Sequence, residues 1–208
     1  MELKYINLDD RFGYFRIDNF LTKEELSEVW LELEFISYKS KLLGPDQTNS
    51  AKGRAKKLVA FIDQIYTSNK ISSYTWFYKK HLLDELKHSM LVKKRFDFVD
   101  IFKTNSDHTL FNYYEDGEYY DSHTDTSKFT QVLFLHKEPK KFSGGDFSFP
   151  DFLHKVECNS NTLIFFPSYL SHKVEPVVVD PYYKTPEHSD KLTGFGRYSL
   201  VTFFRNQP

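Results

Sequence analysis

Cysteine is nearly absent from this chain. Cys158 is the only one in 208 residues, so no intrachain disulfide can form. Net charge is nearly absent too: 28 Lys and Arg face 29 Asp and Glu, a formal balance of −1. That leaves no global field to gather nucleic acid or an anionic membrane. No apolar run approaches the ~20 residues of a membrane span. The opening MELKYINLDDRFGYF has neither the apolar stretch of a secretory signal nor an Arg-rich amphipathic leader. With one thiol, no leader and no span, the expected setting is the reducing cytoplasm. Internal repeats and low-complexity segments are also missing.

What is present is the mix of an ordinary globular protein, 40% hydrophobic and 27% charged, at the length of one domain. Aromatics reach 18%, with 21 Phe and 14 Tyr, residues that suit strands. One stretch departs from charge balance. Lys39, Lys41, Lys52, Arg54, Lys56 and Lys57 stand against a single Asp46. Its bland reading is a solvated loop running into a helix; its sharper one is a docking surface for an acidic substrate.

Along the chain, Gly13 to Phe20 reads as a strand. A helix opens at Thr22, where Glu25 three residues on completes a capping box, and Leu26, Val29, Trp30 and Leu33 come after it at helical spacing. Ser40 to Gly53 reads as a loop, and Leu58 to Tyr66 and Ile71 to Met90 as helices. From Arg95 the pattern changes to short strand-like runs: RFDFVDIFK, TLFNYY, EYYDSHT, FTQVLFL, GDFSF, HKVEC, TLIFFP, HKVEPVVV and RYSLVTFF. Turn signals such as Asp116-Gly117 and Gly144-Gly145 separate them. The expectation is a single domain of mainly β, α+β type. An N-terminal strand and supporting helices would occupy 1–94, and a sandwich or barrel 95–208. Asp180 to Gly196 looks like an excursion from that barrel.

Three elements carry chemistry. In His123-Thr124-Asp125 the ligand residues sit two apart on an expected strand. At that period both face one side, about 7 Å apart at Cα, and can converge on one metal ion. Alone the motif is weak, since an exposed strand end explains it equally well. His172 opens the run after TLIFFP; by itself it reads as structural more readily than as a ligand. In Arg197-Tyr198-Ser199 the outer two residues share a face that continues into apolar Val201 and Phe203. A guanidinium aimed into a barrel interior is costly unless an anion meets it. A dicarboxylate would meet it through a bidentate pair, with the Ser199 hydroxyl as a further donor. Taken together, two His and one carboxylate with open positions is the arrangement expected of a non-haem iron(II) oxygenase.

With these residues in place the chain resembles the iron(II)/2-oxoglutarate dioxygenases, and among them the prolyl 4-hydroxylase-like branch. NYYEDGEYYDSHTD is similar to that branch's lead into the iron motif, Tyr114 and Gly117 matching. TQVLFLHKEPKKFSGGDFSFP, NTLIFFPSYLSHKVEPV, GRYSLVTFF and FRIDNFLTKEEL are similar to further segments of it. The resemblance implies a double-stranded β-helix, a jelly-roll, cupin-like barrel. It implies iron(II) on His123, Asp125 and His172, and 2-oxoglutarate on Arg197 with Ser199 and Tyr114 as helpers. Oxygen would be the second co-substrate, and ascorbate a possible support. It implies oxidative decarboxylation of 2-oxoglutarate coupled to hydroxylation of a C–H bond.

Two departures stand out. The 24 residues between His172 and Arg197 make a longer connection than usual. Phe134 stands where some protein prolyl hydroxylases have a Tyr. The family-weighted substrate is a prolyl residue in a peptide or protein; a free amino acid or other small metabolite is the alternative. A non-oxygenase cupin-type metal-binding protein would share the barrel but give no reason for Arg197. A zinc hydrolase lacks its helix-borne His-Glu-x-x-His signature here. A nucleic-acid demethylase would carry a second Arg six residues after the first, where this chain has Phe203, with Arg205 two residues later. The oligomeric state has no signal in the sequence.

Overall fold

The computed structural model describes residues 2–39, 42–48, 55–66, 71–89, 95–184, 192 and 194–207. Among these the chain forms two main sheets and a helical layer. The larger sheet has the strand order β1-β2-β11-β7-β14-β5-β4. Its members are β1 (Lys4–Asn7), β2 (Gly13–Asp18), β4 (Leu58–Phe61), β5 (Ser106–Tyr114), β7 (Phe129–Leu135), β11 (Thr162–Pro167) and β14 (Arg197–Arg205). The smaller sheet runs β10-β9-β12-β6-β3, from β3 (Ala55–Lys56), β6 (Tyr119–His123), β9 (Phe147–Phe149), β10 (His154–Val156) and β12 (His172–Val174). A hairpin of β8 (Phe142–Gly144) and β13 (Val177–Val179) stands beside them. The architecture is a double-stranded β-helix whose sheets do not close on each other.

Alternation explains why the central strands are apolar throughout. On β11, Leu163 and Phe165 join the core under the helices, while Ile164 and Phe166 join the core between the sheets. On β7, Leu133 and Leu135 face the helices, and Val132 and Phe134 face the smaller sheet. A strand covered on both faces reads as a continuous hydrophobic run.

The helical layer is set by the long helix Lys23–Lys39. Its capping box forms as expected, with Glu25 N donating to Thr22 Oγ1 and Thr22 N to Glu25 Oε2. Val29, Leu33 and Ile36 bury against the larger sheet. The stretch from Ile71 is helical but not uniform: Ser73–Tyr78 continues through a π turn at Lys79–Leu83 into Asp84–His88, and Met90 lies outside the described residues. Among the described residues, no helix is long and apolar enough to cross a membrane.

Three local expectations are corrected. Leu58 to Tyr66 is not a helix: Leu58–Phe61 pairs antiparallel with β5, and only Ile62–Ile65 turns helical. The segment RFDFVDIFK is not a strand but a 3₁₀ helix over Phe96–Lys103. Phe98 and Ile101, three apart, are buried, while Val99 and Phe102 are exposed, a period of three rather than two. The run HKVEPVVV is two strands in different sheets. Pro176 lies between them, where its carbonyl accepts from Gly145 N. Part of the 180–196 excursion (185–191 and 193) and of the basic 39–57 stretch (40, 41 and 49–54) lies outside the described residues.

Candidate metal and co-substrate site

Antiparallel pairing of β12 with β6 makes His172 and His123 direct Cα partners. β6 ends at His123, so Asp125 is delivered by the turn after it rather than by strand alternation. Its backbone N donates to Ser168 O, which fastens that turn to the end of β11. One ligand atom from each of His123, Asp125 and His172 lies within 4.8 Å of the other two. His172 Nε2 is 3.4 Å from Asp125 Oδ2, and His123 Nε2 is 3.7 Å from Asp125 Oδ1.

The surroundings fix these side chains in a ligating form. His123 Nδ1 is 2.8 Å from Asp121 O and His172 Nδ1 is 2.8 Å from Leu170 O. A carbonyl only accepts, so each Nδ1 carries the proton and each Nε2 lone pair points at the triad. Tyr120 stacks on the His123 ring at 3.7 Å, and Phe147 and Phe166 enclose the His172 ring. Burial, with the neighbouring His172, pushes the His123 pKa down to about 4, which keeps the ring neutral. Burial alone would raise Asp125, but its polar neighbours, the Thr130 hydroxyl among them, outweigh it and hold the carboxyl below its usual range. The Thr130 hydroxyl donates to Asp125 Oδ2 at 2.6 Å. It must therefore accept from Ser168 Oγ, 2.8 Å away, which in turn accepts from Ser127.

Arg197 lies in the same cavity of about 530 Å³. It is 1% exposed, and Nη1 donates to Ser199 Oγ at 3.2 Å. Nε and Nη2 are buried without a hydrogen-bond partner. Its Cζ sits 5.0 Å from the Tyr114 ring centroid and 5.2 Å from that of Phe134. Phe134 thus offers a ring face to the guanidinium. Gly145 makes room for the side chain: its φ is +67°, and a Cβ there would lie 3.0 Å from Arg197 Cδ. Gly196, just before the arginine, could carry no side chain, because its Cβ would meet Tyr114 O at 2.0 Å.

Two His nitrogens and a carboxylate oxygen suit iron(II), and two orphaned guanidinium N–H groups suit a carboxylate held bidentately. The residues present fit both a metal and an anionic co-substrate.

Comparison with known proteins points the same way. Residues 109–205 match the family model of the 2OG-Fe(II) oxygenase superfamily. That stretch is just under half of the chain. The protein is an enzyme, an iron(II)- and 2-oxoglutarate-dependent dioxygenase. Among solved structures it is similar to a prolyl-4-hydroxylase of Pseudomonas putida, with 19% identity, 95% of this chain and 94% of that one covered, and a TM-score of 0.65. A prolyl hydroxylase of Trichoplax adhaerens, solved with a hypoxia inducible factor oxygen degradation domain peptide fragment, gives 13%, 93%, 83% and 0.58. OsALKBH1 gives 14%, 99%, 100% and 0.59. At these identities the likeness is one of fold. No curated protein sequence matches the chain.

Sequence reasoning points to the three candidate ligands and to Arg197, Ser199 and Tyr114, and the structure lines one cavity with all six. It places Lys57 only in the basic stretch, Arg205 only as a displaced second arginine, and misses Thr130; all three line the same cavity. The helical reading of Leu58 to Tyr66 hides the alternation that β4 continues from Lys57: Lys57, just before it, Val59 and Phe61 all line the cavity. Arg205 falls eight residues after Arg197 rather than six, yet eight is even and keeps the face. Tyr120 is the plate on which His123 rests.

Proposed function

We propose that His123, Asp125 and His172 hold the iron(II), that Arg197 binds the distal carboxylate of 2-oxoglutarate with help from Ser199 and Tyr114, and that the enzyme hydroxylates a prolyl residue in a peptide or protein. The observation that carries the co-substrate assignment is the Arg197 guanidinium, buried with Nε and Nη2 unpartnered inside the cavity that the triad lines. A buried cation left so is costly, and a carboxylate of the co-substrate removes the cost.

When bound, iron(II) and 2-oxoglutarate supply the oxidising chemistry that breaks a C–H bond with O₂. The chain's own residues do the rest. The Nδ1–H groups of both histidines, anchored on carbonyls, hold the rings in register. Thr130 fixes the Asp125 carboxylate, and Phe147, Phe166 and Tyr120 exclude water from the histidine faces. Arg197, Ser199 and Tyr114 line the same cavity, Arg197 beside Gly145, where they would orient a dicarboxylate.

The prolyl choice rests on the fold likeness to prolyl hydroxylases, one of them solved with a peptide, and on a cavity large enough for a co-substrate plus one side chain. Purified protein with iron(II), ascorbate and 2-oxoglutarate should release succinate when given proline-containing peptides, with a +16 Da product at proline. Succinate release driven by free amino acids alone would move the enzyme to small-molecule metabolism and end the peptide reading.

A further inference from the structure

Lys57 comes directly after β3 and is 6% exposed, yet among the described residues it has no ion pair. Its described contact is with the Tyr120 ring, 4.3 Å from Nζ to the centroid, the ring that also stacks on His123. It lines the cavity with Val59 and Phe61. Burial lowers its pKa to about 7, Asp125 opposes that shift and Arg197 adds to it. Lys57 therefore feels both the triad carboxylate and the co-substrate arginine.

The charges facing this cavity do not balance. Lys57, Arg197 and Arg205 line it, and Asp125 is the one carboxylate among the lining residues. A divalent metal and a dicarboxylate cancel each other, and Asp125 offsets Arg197. Lys57 is then left over on the metal side, and Arg205, whose Nε is buried without a partner, further along β14.

From this we infer that Lys57 is a substrate-binding residue that receives a carboxylate carried by the substrate beside the carbon to be hydroxylated, an acidic side chain flanking the target proline. This rests on the peptide reading of the site above. A phosphodiester is the weaker match, because nucleic-acid binding draws on rows of exposed cations along a backbone. Lys57 is instead a buried cation, more than nine-tenths covered, beside an aromatic ring.

The test reads binding rather than turnover. Under anaerobic conditions the iron(II)- and 2-oxoglutarate-loaded protein is titrated with acetylated, amidated pentapeptides centred on proline. They carry Asp or Glu, or the isosteric Asn or Gln, at each flanking position. A matching set has Ala in place of proline, and a short single-stranded oligonucleotide is run alongside. At least one acidic peptide should bind about tenfold or more tighter than its amide isostere, as expected of a charge-assisted contact. Lys57→Met should erase that preference, Lys57→Arg should keep part of it, and 2-oxoglutarate affinity should move by less than about twofold.

The inference is overturned by no acid preference among the peptides, by a preference that survives in Lys57→Met, or by binding of the oligonucleotide alone. A tenfold fall in 2-oxoglutarate affinity in that variant overturns it too, since Lys57 would then serve the co-substrate. The two readings fail separately. Acidic peptides that bind equally well without proline, with the same Lys57 dependence, end the prolyl reading only. Proline peptides hydroxylated without regard to flanking charge end the Lys57 inference only.

Discussion

His123 and His172 face each other across the β6–β12 pair with ring centroids 4.3 Å apart, and each anchors its Nδ1–H on the carbonyl two residues before it. The same local device at both positions leaves two Nε2 lone pairs convergent, with Asp125 between them. Neither ring can turn without losing a hydrogen bond and its aromatic packing. The ligand set is thereby shaped before a metal arrives, which lowers the ordering cost of binding.

Thr130→Val tests the support of that set. The hydroxyl that holds Asp125 Oδ2 at 2.6 Å is lost, while shape is nearly kept. Iron(II) affinity, measured anaerobically by competition with a chelator, should fall roughly 10–100-fold with the fold intact. Unchanged affinity would show that the turn around Asp125 suffices alone.

Gly145→Ala should disturb the co-substrate end and spare the metal end. Its φ of +67° and the 3.0 Å approach of a Cβ to Arg197 Cδ force either backbone strain or a shifted guanidinium, costing about 1–2 kcal/mol of stability. The Michaelis constant for 2-oxoglutarate should rise while iron(II) affinity stays. A variant with both constants and its melting temperature unchanged would show that the turn relaxes freely.

Lys57→Met should stabilise the metal-free protein at neutral pH. Burial lowers the folded-state pKa of Lys57 to about 7, so between that value and the ordinary lysine range the unfolded chain binds the extra proton. Stability therefore rises with pH across that window, and the penalty is full below about pH 7. Removing the amine should raise the unfolding free energy by about 4 kcal/mol near pH 7, the gain vanishing above about pH 10. Denaturant midpoints of both proteins at the two pH values measure this. A less stable methionine variant at pH 7 would mean that Lys57 is a structural residue.

Much of the fold is legible in the sequence because the signals are local. Glu25 three residues after Thr22 announces the long helix, and FTQVLFL and TLIFFP are apolar throughout because both faces of β7 and β11 are covered. Leu58–Phe61 and Phe96–Lys103 mislead because both are short apolar runs whose period is set by partners distant in sequence, β5 for the first and the core around Phe15 and Phe165 for the second. The triad and Arg197 can be found from spacing. Asp125, however, reaches its place through a turn tied to Ser168, and Lys57 and Thr130 take up their roles only once two sheets face each other. No spacing along the chain records that.

On the function proposed above, one cavity holds metal at the triad and the co-substrate carboxylate at Arg197. Its most direct test is anaerobic titration of the iron(II)-loaded protein with 2-oxoglutarate, wild type against Arg197→Met, with iron(II) affinity measured in parallel. Removing the partner of a buried carboxylate costs on the order of 2–5 kcal/mol, so 2-oxoglutarate affinity should fall roughly 30-fold or more while iron(II) affinity holds. Equal 2-oxoglutarate affinity in the two proteins would contradict the account.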